Sequence, residues 1–130
     1  MRFWPVFLLL AACSPEPPPP TPERAIYAGQ GRDRLCVEGD RAGFVTYGAS
    51  DANCSARGRI ERAGATASFR PDGDEDCRIP LTLSGDRASL GVGQPSCSFY
   101  CGPGAAFGGK SFSRDASASP AVDFAGDPLC

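Results

Sequence analysis

Alternation of apolar and polar residues between Arg34 and Val92 is the main structural signal in the chain, and it predicts antiparallel β-strands. The clearest runs carry an apolar residue at every second position: Ala65, Ala67 and Phe69; Ile79, Leu81 and Leu83; Ala88, Leu90 and Val92. Their neighbours are polar or charged. One face of the sheet is therefore expected to be buried, while the other faces water.

Glycine-containing pairs separate these runs and are typical of two-residue hairpin turns. They are Gly39-Asp40, Ala63-Gly64 and Gly85-Asp86. Three hairpins in series predict six strands over residues 35–38, 42–47, 55–62, 65–70, 77–84 and 87–92. The fold class is thus all-β: a small antiparallel meander or curled barrel of about six strands.

The alternation ends at Pro95, and an irregular C-terminal segment is expected from there on. Aromatic residues between Pro95 and Arg114 are predicted to cap one end of the sheet, and Pro103 could begin a short helix that ends at Phe107. The last stretch, Asp115 to Cys130, is small and polar without periodicity. Its terminal cysteine predicts that this tail is tied back onto the domain.

Seven cysteines divide into Cys13 near the N-terminus and an even set in the domain: Cys36, Cys54, Cys77, Cys97, Cys101 and Cys130. An even number in a small exported domain predicts three disulfides. Pairing neighbouring strands suggests Cys36–Cys54, Cys77–Cys97 and Cys101–Cys130, although the spacing alone leaves other pairings open. Zinc and thiol-redox sites are disfavoured, because the chain has no His and no Cys-x2-Cys pair.

The N-terminus has the order of a secretory signal. Arg2 supplies a positive charge, Phe3 to Leu10 is apolar apart from Pro5, and the small pair Ala11-Ala12 precedes Cys13. This run resembles the lipobox of bacterial lipoproteins, over about the first 22 residues. The resemblance implies cleavage after residue 12 and acylation of Cys13 with chains such as palmitate. Because Ser14 follows the cysteine, it also implies the outer membrane, facing the periplasm.

A proline-rich stretch follows Cys13, with six prolines among residues 14–23. Such a segment favours an extended polyproline conformation and suits a spacer. We therefore divide the chain into a signal peptide (1–12), a lipidated tether (13–23) and a periplasmic β domain (24–130).

Composition favours binding over catalysis. The domain carries 12 basic and 13 acidic residues, so it has no excess positive charge for nucleic acid. Without His, neither a Ser–His nor a Cys–His arrangement is available. We expect no enzyme activity and no cofactor. The expected partners are the membrane, through the lipid anchor, and an acidic ligand or another envelope protein.

Three arginines on the polar face are the candidate ligand-binding residues. If Ala63-Gly64 is the turn, Arg57 lies opposite Arg70, and Arg59 lies two residues along the same strand. Like charges placed opposite one another destabilise a sheet unless an anion lies between them. Guanidinium groups present forked donors that match carboxylate and phosphate. These arginines therefore suggest contact with an acidic ligand; the alternative is a solvated face balanced by Glu61 and the acidic residues that follow Arg70.

An acidic run, residues 72–76, lies between the strand ending near Arg70 and Cys77. Asp72, Asp74 and Asp76 alternate in a way that resembles part of a calcium loop, but the later bidentate Glu is missing. We expect a solvated connection and no metal, with these three carboxylates as the only candidate ligands.

The overall plan resembles the small lipoproteins that inhibit host lysozymes, which combine a lipid anchor with a compact, cysteine-containing antiparallel barrel. Those inhibitors use a Ser-Gly-x-x-Tyr type of segment, whereas here Ser84-Gly85-Asp86-Arg87 is followed by Ala88. The resemblance implies a binding module that inhibits a lysozyme-type enzyme. The alternative is a structural lipoprotein that binds peptidoglycan or another envelope protein.

Overall fold

A computed structural model of the chain describes residue 1 and residues 11–17, 23–64 and 66–130. Residues 2–10 of the predicted signal peptide and residues 18–22 of the predicted tether lie outside the described part. Within that part, no helix has the length and apolar content needed to cross a membrane.

Eight antiparallel strands form a closed barrel. Consecutive strands pair with each other, and the first strand pairs with the last. In chain order they are β1 Arg24–Ala28, β2 Arg34–Glu38, β3 Arg41–Tyr47, β4 Asn53–Ala63, β5 Thr66–Pro71, β6 Ile79–Ser84, β7 Arg87–Leu90 and β8 Ser111–Arg114. The all-β prediction and the antiparallel order are confirmed. The six predicted strands correspond to β2 through β7.

The two strands that the sequence did not predict are the ones that close the barrel. Tyr27 of β1 pairs with Arg114 of β8, and Ala28 pairs with Ser113. Neither strand adjoins a two-residue glycine turn. Ser111–Arg114 is also only four residues long and lies in a stretch that composition marks as irregular. Their pairing is a long-range contact that no local pattern specifies.

The barrel interior is packed with large side chains. Phe44, Phe69, Phe107 and Phe112 are almost fully buried, and Phe44 contacts both Phe69 and Phe107 with ring centroids 5.6 and 5.5 Å apart. Leu35, Ile79, Leu81, Ala88 and Leu90 complete much of the remaining core. In the predicted alternation, Phe69, Ile79, Leu81, Ala88 and Leu90 are buried, Ala67 and Leu83 are partly buried, and Ala65 lies outside the described residues.

Residues 91–110 close one end of the barrel, which we call the cap end. A 3₁₀ helix over Pro95–Tyr100 lies here, while the helix predicted from Pro103 to Phe107 is absent and that prediction is wrong. Phe107 enters the core from this segment, as expected for an aromatic cap. Because β7 ends at Leu90, Val92 leaves the sheet and is 81% exposed, so its predicted burial is also wrong.

The C-terminal tail lies across the outer surface of the first strands and forms a second, smaller core there. Ala121 and Leu129 pack against Cys36 and Val45, whose side chains point away from the barrel interior. Such residues would otherwise be exposed on an outer face. The predicted attachment of the tail is thus confirmed, through contacts that the sequence pattern did not indicate.

Three disulfides join the domain, as the even cysteine count predicts, but only one predicted pair is right. Cys77–Cys97 is confirmed. The other bonds are Cys36–Cys130 and Cys54–Cys101, so the predicted pairs Cys36–Cys54 and Cys101–Cys130 are wrong. The reason is geometric, because Cys36 faces the tail outside the barrel, whereas Cys54 belongs to the interior core and meets the cap segment.

Candidate ligand-binding surface

A row of charged side chains crosses the outside of five adjacent strands. Pairing places Arg24 beside Glu38, Glu38 beside Arg41, Arg41 beside Arg59, and Arg59 beside Arg70. Directly opposite residues in a sheet have Cβ atoms about 4.5–5.5 Å apart. Arg41, Arg59 and Arg70 are therefore direct neighbours on three adjacent strands. We call these five residues the basic row.

The observed register corrects the predicted one. Ala63 pairs with Thr66, so Gly64 is the first residue of the turn and adopts a φ of 61°. Arg59 therefore stands opposite Arg70, and the predicted pairing of Arg57 with Arg70 is wrong. The other two hairpins contained the signal that could have given this register, since glycine comes first in both Gly-Asp turns.

Arg70, a predicted ligand residue, is occupied by its own chain. Its guanidinium donates to the Glu61 carboxylate at 3.0 Å. It also donates to the backbone carbonyls of Asp74 and Glu75, at 3.2 and 3.4 Å. Arg70 therefore holds the loop that contains the acidic run (residues 72–76, the acidic loop) against β5. It has little hydrogen-bonding capacity left for an external ligand.

Arg41 was missed by the sequence prediction, and it is the best-placed member of the row. Its two terminal nitrogens donate to the two carboxylate oxygens of Asp72, at 2.8 and 2.5 Å. This fork-to-fork geometry is the strong form of an arginine–carboxylate pair. The connection from β3 to β4 is not a short hairpin, so no turn rule could have placed Arg41 beside Arg59.

Arg57 and Arg59 are the two arginines beside the acidic run that have no carboxylate partner of their own in the described chain. Both are exposed, and Arg59 takes part in none of the ion pairs formed within the described residues. Arg57 donates to the carbonyl of Pro128 at 2.9 Å, which fixes the guanidinium but leaves its charge uncompensated. Of the three predicted ligand residues, these two remain available.

Asp72 lies in the field of Arg41 on β3 and of Arg57 and Arg59 on β4. The hydrogen bond from Arg41 lowers the pKa of Asp72, and the nearby charges of Arg59 and Arg57 lower it further. The same bond raises the pKa of Arg41. The surface thus already holds one carboxylate, supplied by the protein itself.

Grooves lie on both sides of this arginine group. One, of about 520 Å³, runs between the turn at Gly39-Asp40 and the end of the tail, and its walls include Arg24, Arg41 and Arg57. The other, of about 250 Å³, lies between Arg59 and the acidic loop. An extended ligand could therefore contact Arg57 and Arg59 while following the outer wall of the barrel.

The acidic run serves mainly to stabilise its own loop. One carboxylate oxygen of Asp74 accepts hydrogen bonds from the backbone amides of Asp76 and Cys77, and the other accepts the Tyr100 hydroxyl at 2.7 Å. These bonds lower the pKa of Asp74, the one from Tyr100 most of all. Burial, and then the bond to Asp74, raise the pKa of Tyr100 to about 12.

The candidate metal ligands do not converge on one point. Asp72 is bound to Arg41, and Asp74 is bound to Tyr100 and backbone amides, while Asp76 is exposed. Within the described residues, no group of three or more metal-binding side chains is assembled. The hydrogen bonds account for the acidic run as a structured connection between β5 and β6.

The predicted lipidation residue, Cys13, lies in the described stretch 11–17, where it is exposed and unpaired. Every other cysteine is in a disulfide. Cys13 is therefore the one thiol of the chain left for a modification.

The cap end presents the most exposed aromatic residue of the described chain. Phe99 is 84% exposed, and its helix is tied to the barrel by the disulfides of Cys97 and Cys101. Beside the helix is a cleft of about 360 Å³ with no charged residue in its lining. This end is a second surface on which a protein partner could bind.

Comparison with known proteins finds no matching family model, no matching curated protein and no matching solved structure. Fold and surface chemistry are therefore the basis for proposing a function.

Proposed function

We propose that this chain is a lipid-anchored bacterial envelope lipoprotein whose barrel is a binding module with no catalytic activity. The lipobox-like segment ending at Cys13 and the proline-rich tether support the anchored location. The packed aromatic interior supports binding on the outer surface, since Phe44, Phe69 and Phe112 occupy the space where many larger barrels hold a ligand.

The observation that carries the proposal is the position of Arg59. It stands between Arg41 and Arg70 in the sheet, yet it has no ion-pair partner among the described residues. Three adjacent arginines are unfavourable in an isolated sheet, and an anion that contacts the middle one relieves the repulsion. The ligand expected here is acidic.

Peptidoglycan is one partner with the required chemistry, because its peptide stems carry carboxylates and it lies within reach of a periplasmic lipoprotein. An extended tether of about ten residues spans roughly 30 Å at ~3.1 Å per residue. The basic row starts at Arg24, the first residue of β1, and β1 is the strand that directly follows the tether in the chain. A second envelope protein with an acidic surface would satisfy the same chemistry.

Inhibition of a lysozyme-type enzyme is the second candidate, and the closed barrel favours it because the lysozyme-inhibitor lipoproteins have that plan. The position that corresponds to their motif tyrosine is Ala88, which is only 2% exposed and paired with Phe112. No side chain at this position could contact an enzyme from the surface. An inhibitory contact would have to come from elsewhere, and exposed Phe99 is the best-placed residue for it.

One set of purified proteins separates the two candidates. The mature lipoprotein, solubilised in detergent, is incubated with isolated peptidoglycan sacculi and, separately, assayed as an inhibitor of hen egg-white lysozyme. A double variant, Arg57→Gln with Arg59→Gln, is expected to lose capture on sacculi and to make the remaining capture less sensitive to salt. A Phe99→Ala variant is expected to lose any lysozyme inhibition.

Matched controls are available on the same barrel. Arg62→Gln with Arg87→Gln removes the same charge from exposed positions away from the basic row, and Phe124→Ala truncates an exposed Phe on the tail. If the two double-arginine variants lose capture equally, the loss comes from net charge alone, and a binding site at Arg57 and Arg59 is contradicted. Absence of both capture and inhibition in the unmodified protein would reject both partners.

A further inference from the structure

The carboxylate of Asp72 is bound by Arg41 and lies close enough to Arg57 and Arg59 to be stabilised by their charges. Arg41 holds it through two parallel hydrogen bonds, and the other two guanidinium groups act on it through their charge. All four side chains are exposed. The protein thereby shows which chemical group this surface accommodates.

We propose that the acidic ligand binds by placing a carboxylate of its own where the Asp72 carboxylate now lies, with Arg41 and Arg59 as its two main contacts. This inference rests on the proposed function and specifies the ligand class, a carboxylate rather than a phosphate. Arg41 already engages a planar group with two oxygens, in the geometry that a carboxylate provides.

Asp72 can leave without disturbing the loop, because backbone bonds hold that loop in place. The Asp72 amide donates to the Arg57 carbonyl at 2.9 Å, and the Asp74 amide donates to the Pro71 carbonyl at 3.2 Å. Arg70 and Tyr100 hold the following residues. Only a side-chain rotation of Asp72 is then required to vacate Arg41.

The energetic cost of this exchange is small. The Arg41 and Asp72 side chains are 46% and 54% exposed, so water screens this ion pair even though it is bidentate. The remaining nearby acids do not take over the position. Glu38 is held by Arg24 at 2.9 Å and Glu61 by Arg70, while Asp40 lies in the turn and acts on Arg41 only through its charge.

The direct test removes the internal competitor. Citrate and inorganic phosphate serve as probes, titrated calorimetrically into the intact lipoprotein in detergent at low salt. Asp72→Asn is expected to bind citrate about two- to fivefold more tightly than the unmodified protein, because the ion pair with Arg41 no longer has to be broken. Arg59→Gln, introduced into the Asp72→Asn background, is expected to reverse the gain.

Asp86→Asn is the matched control, since Asp86 is an exposed aspartate in a different turn, at the other end of β6. Its citrate affinity should equal that of the unmodified protein. Unchanged or weaker citrate binding by Asp72→Asn, or a preference for phosphate over citrate, would overturn the inference.

Capture on sacculi, measured on the same variants, keeps the two proposals apart. A citrate response without capture would reject peptidoglycan as the partner but support the carboxylate position. Capture by the unmodified protein that is not strengthened by Asp72→Asn would leave the proposed function standing and reject the displacement of Asp72. Carbodiimide amidation of the sacculi should abolish capture, since it removes the carboxylates that the site is proposed to bind.

Discussion

Gly43 and Leu129 approach each other so closely that no other residue fits at position 43. A Cβ atom built on Gly43 would lie 2.2 Å from the carbonyl oxygen of Leu129, far inside van der Waals contact. Gly43 lies in the middle of β3 on the outer face, where a side chain would normally point into water. The missing side chain is what allows the tail to lie against the barrel.

Gly43→Ala is therefore expected to lift the tail and to lower the free energy of unfolding by ~1–3 kcal/mol, the usual cost of overpacking. Thermal or urea unfolding of the variant measures this loss. Gly102→Ala is the control, because the nearest atom to its added Cβ, the Asn53 carbonyl oxygen, is 3.7 Å away. Similar losses in the two variants would mean that the close approach at Gly43 carries no special cost.

The disulfides should contribute unequally to stability. Cys36–Cys130 closes a loop of 94 residues and Cys77–Cys97 one of 20 residues, and the longer loop restricts the unfolded chain more. Replacing Cys36 and Cys130 together with Ser is expected to cost ~2–4 kcal/mol and to exceed the loss from the Cys77 and Cys97 pair. Denaturant unfolding of the two double variants tests the order. The reverse order would show that the tail adds little beyond its local contacts.

Local rules predicted the strands from β2 to β7 because each is bounded by a turn or carries a clear alternation. Phe69, Ile79 and Leu81 are buried as their spacing indicates. Barrel closure escaped prediction because the β1–β8 pairing depends on residues far apart in the chain. The tail escaped because a second core outside the barrel makes Val45 and Cys36 outward-facing yet buried, which no two-sided pattern describes.

The candidate site was predicted in part, and the missing part is a matter of register. Arg59 and Arg70 were predicted from a single hairpin. The prediction placed Gly64 second in the turn, whereas it is first, so the partner of Arg70 is Arg59 and not Arg57. Arg41 could not be found in this way, since its position beside Arg59 depends on the longer connection between β3 and β4. Side-chain partners such as Asp72 require the folded loop.

Lipidation predicts a clear change in the mature protein. If Cys13 is the acylated residue, mass spectrometry of the N-terminal peptide should show a chain that begins at Cys13 with acyl groups attached. Cys13→Ala should leave an uncleaved or soluble protein, while the barrel still folds, because Cys13 takes no part in the disulfides. An unmodified Cys13 or cleavage at another position would contradict the prediction.

Arg59→Gln should leave the fold intact and should leave stability unchanged or slightly higher. Its neighbours in the sheet, Arg41 and Arg70, are both positively charged, so removing the central charge relieves repulsion. The expected gain is a few tenths of a kcal/mol, larger at low salt because the charges are exposed. Unfolding measured at two salt concentrations checks this. A clear loss of stability would mean that Arg59 has a structural partner.

Alkaline pH should weaken the domain through Tyr100. The pKa of Tyr100 is about 12 in the folded protein, against an ordinary value of 10.0, because burial and then the bond to Asp74 favour the protonated hydroxyl. A raised pKa means that the folded state holds this proton more tightly than the unfolded chain. The associated stability is fully present below pH 10 and is lost as pH rises towards 12.

In Tyr100→Phe the hydrogen bond is absent at every pH, so the variant should be less stable at neutral pH but should lose less stability over this range. Unfolding curves measured across the range, together with the ultraviolet absorbance of tyrosinate, test both parts. Parallel alkaline losses in the two proteins would show that Tyr100 is not the group responsible.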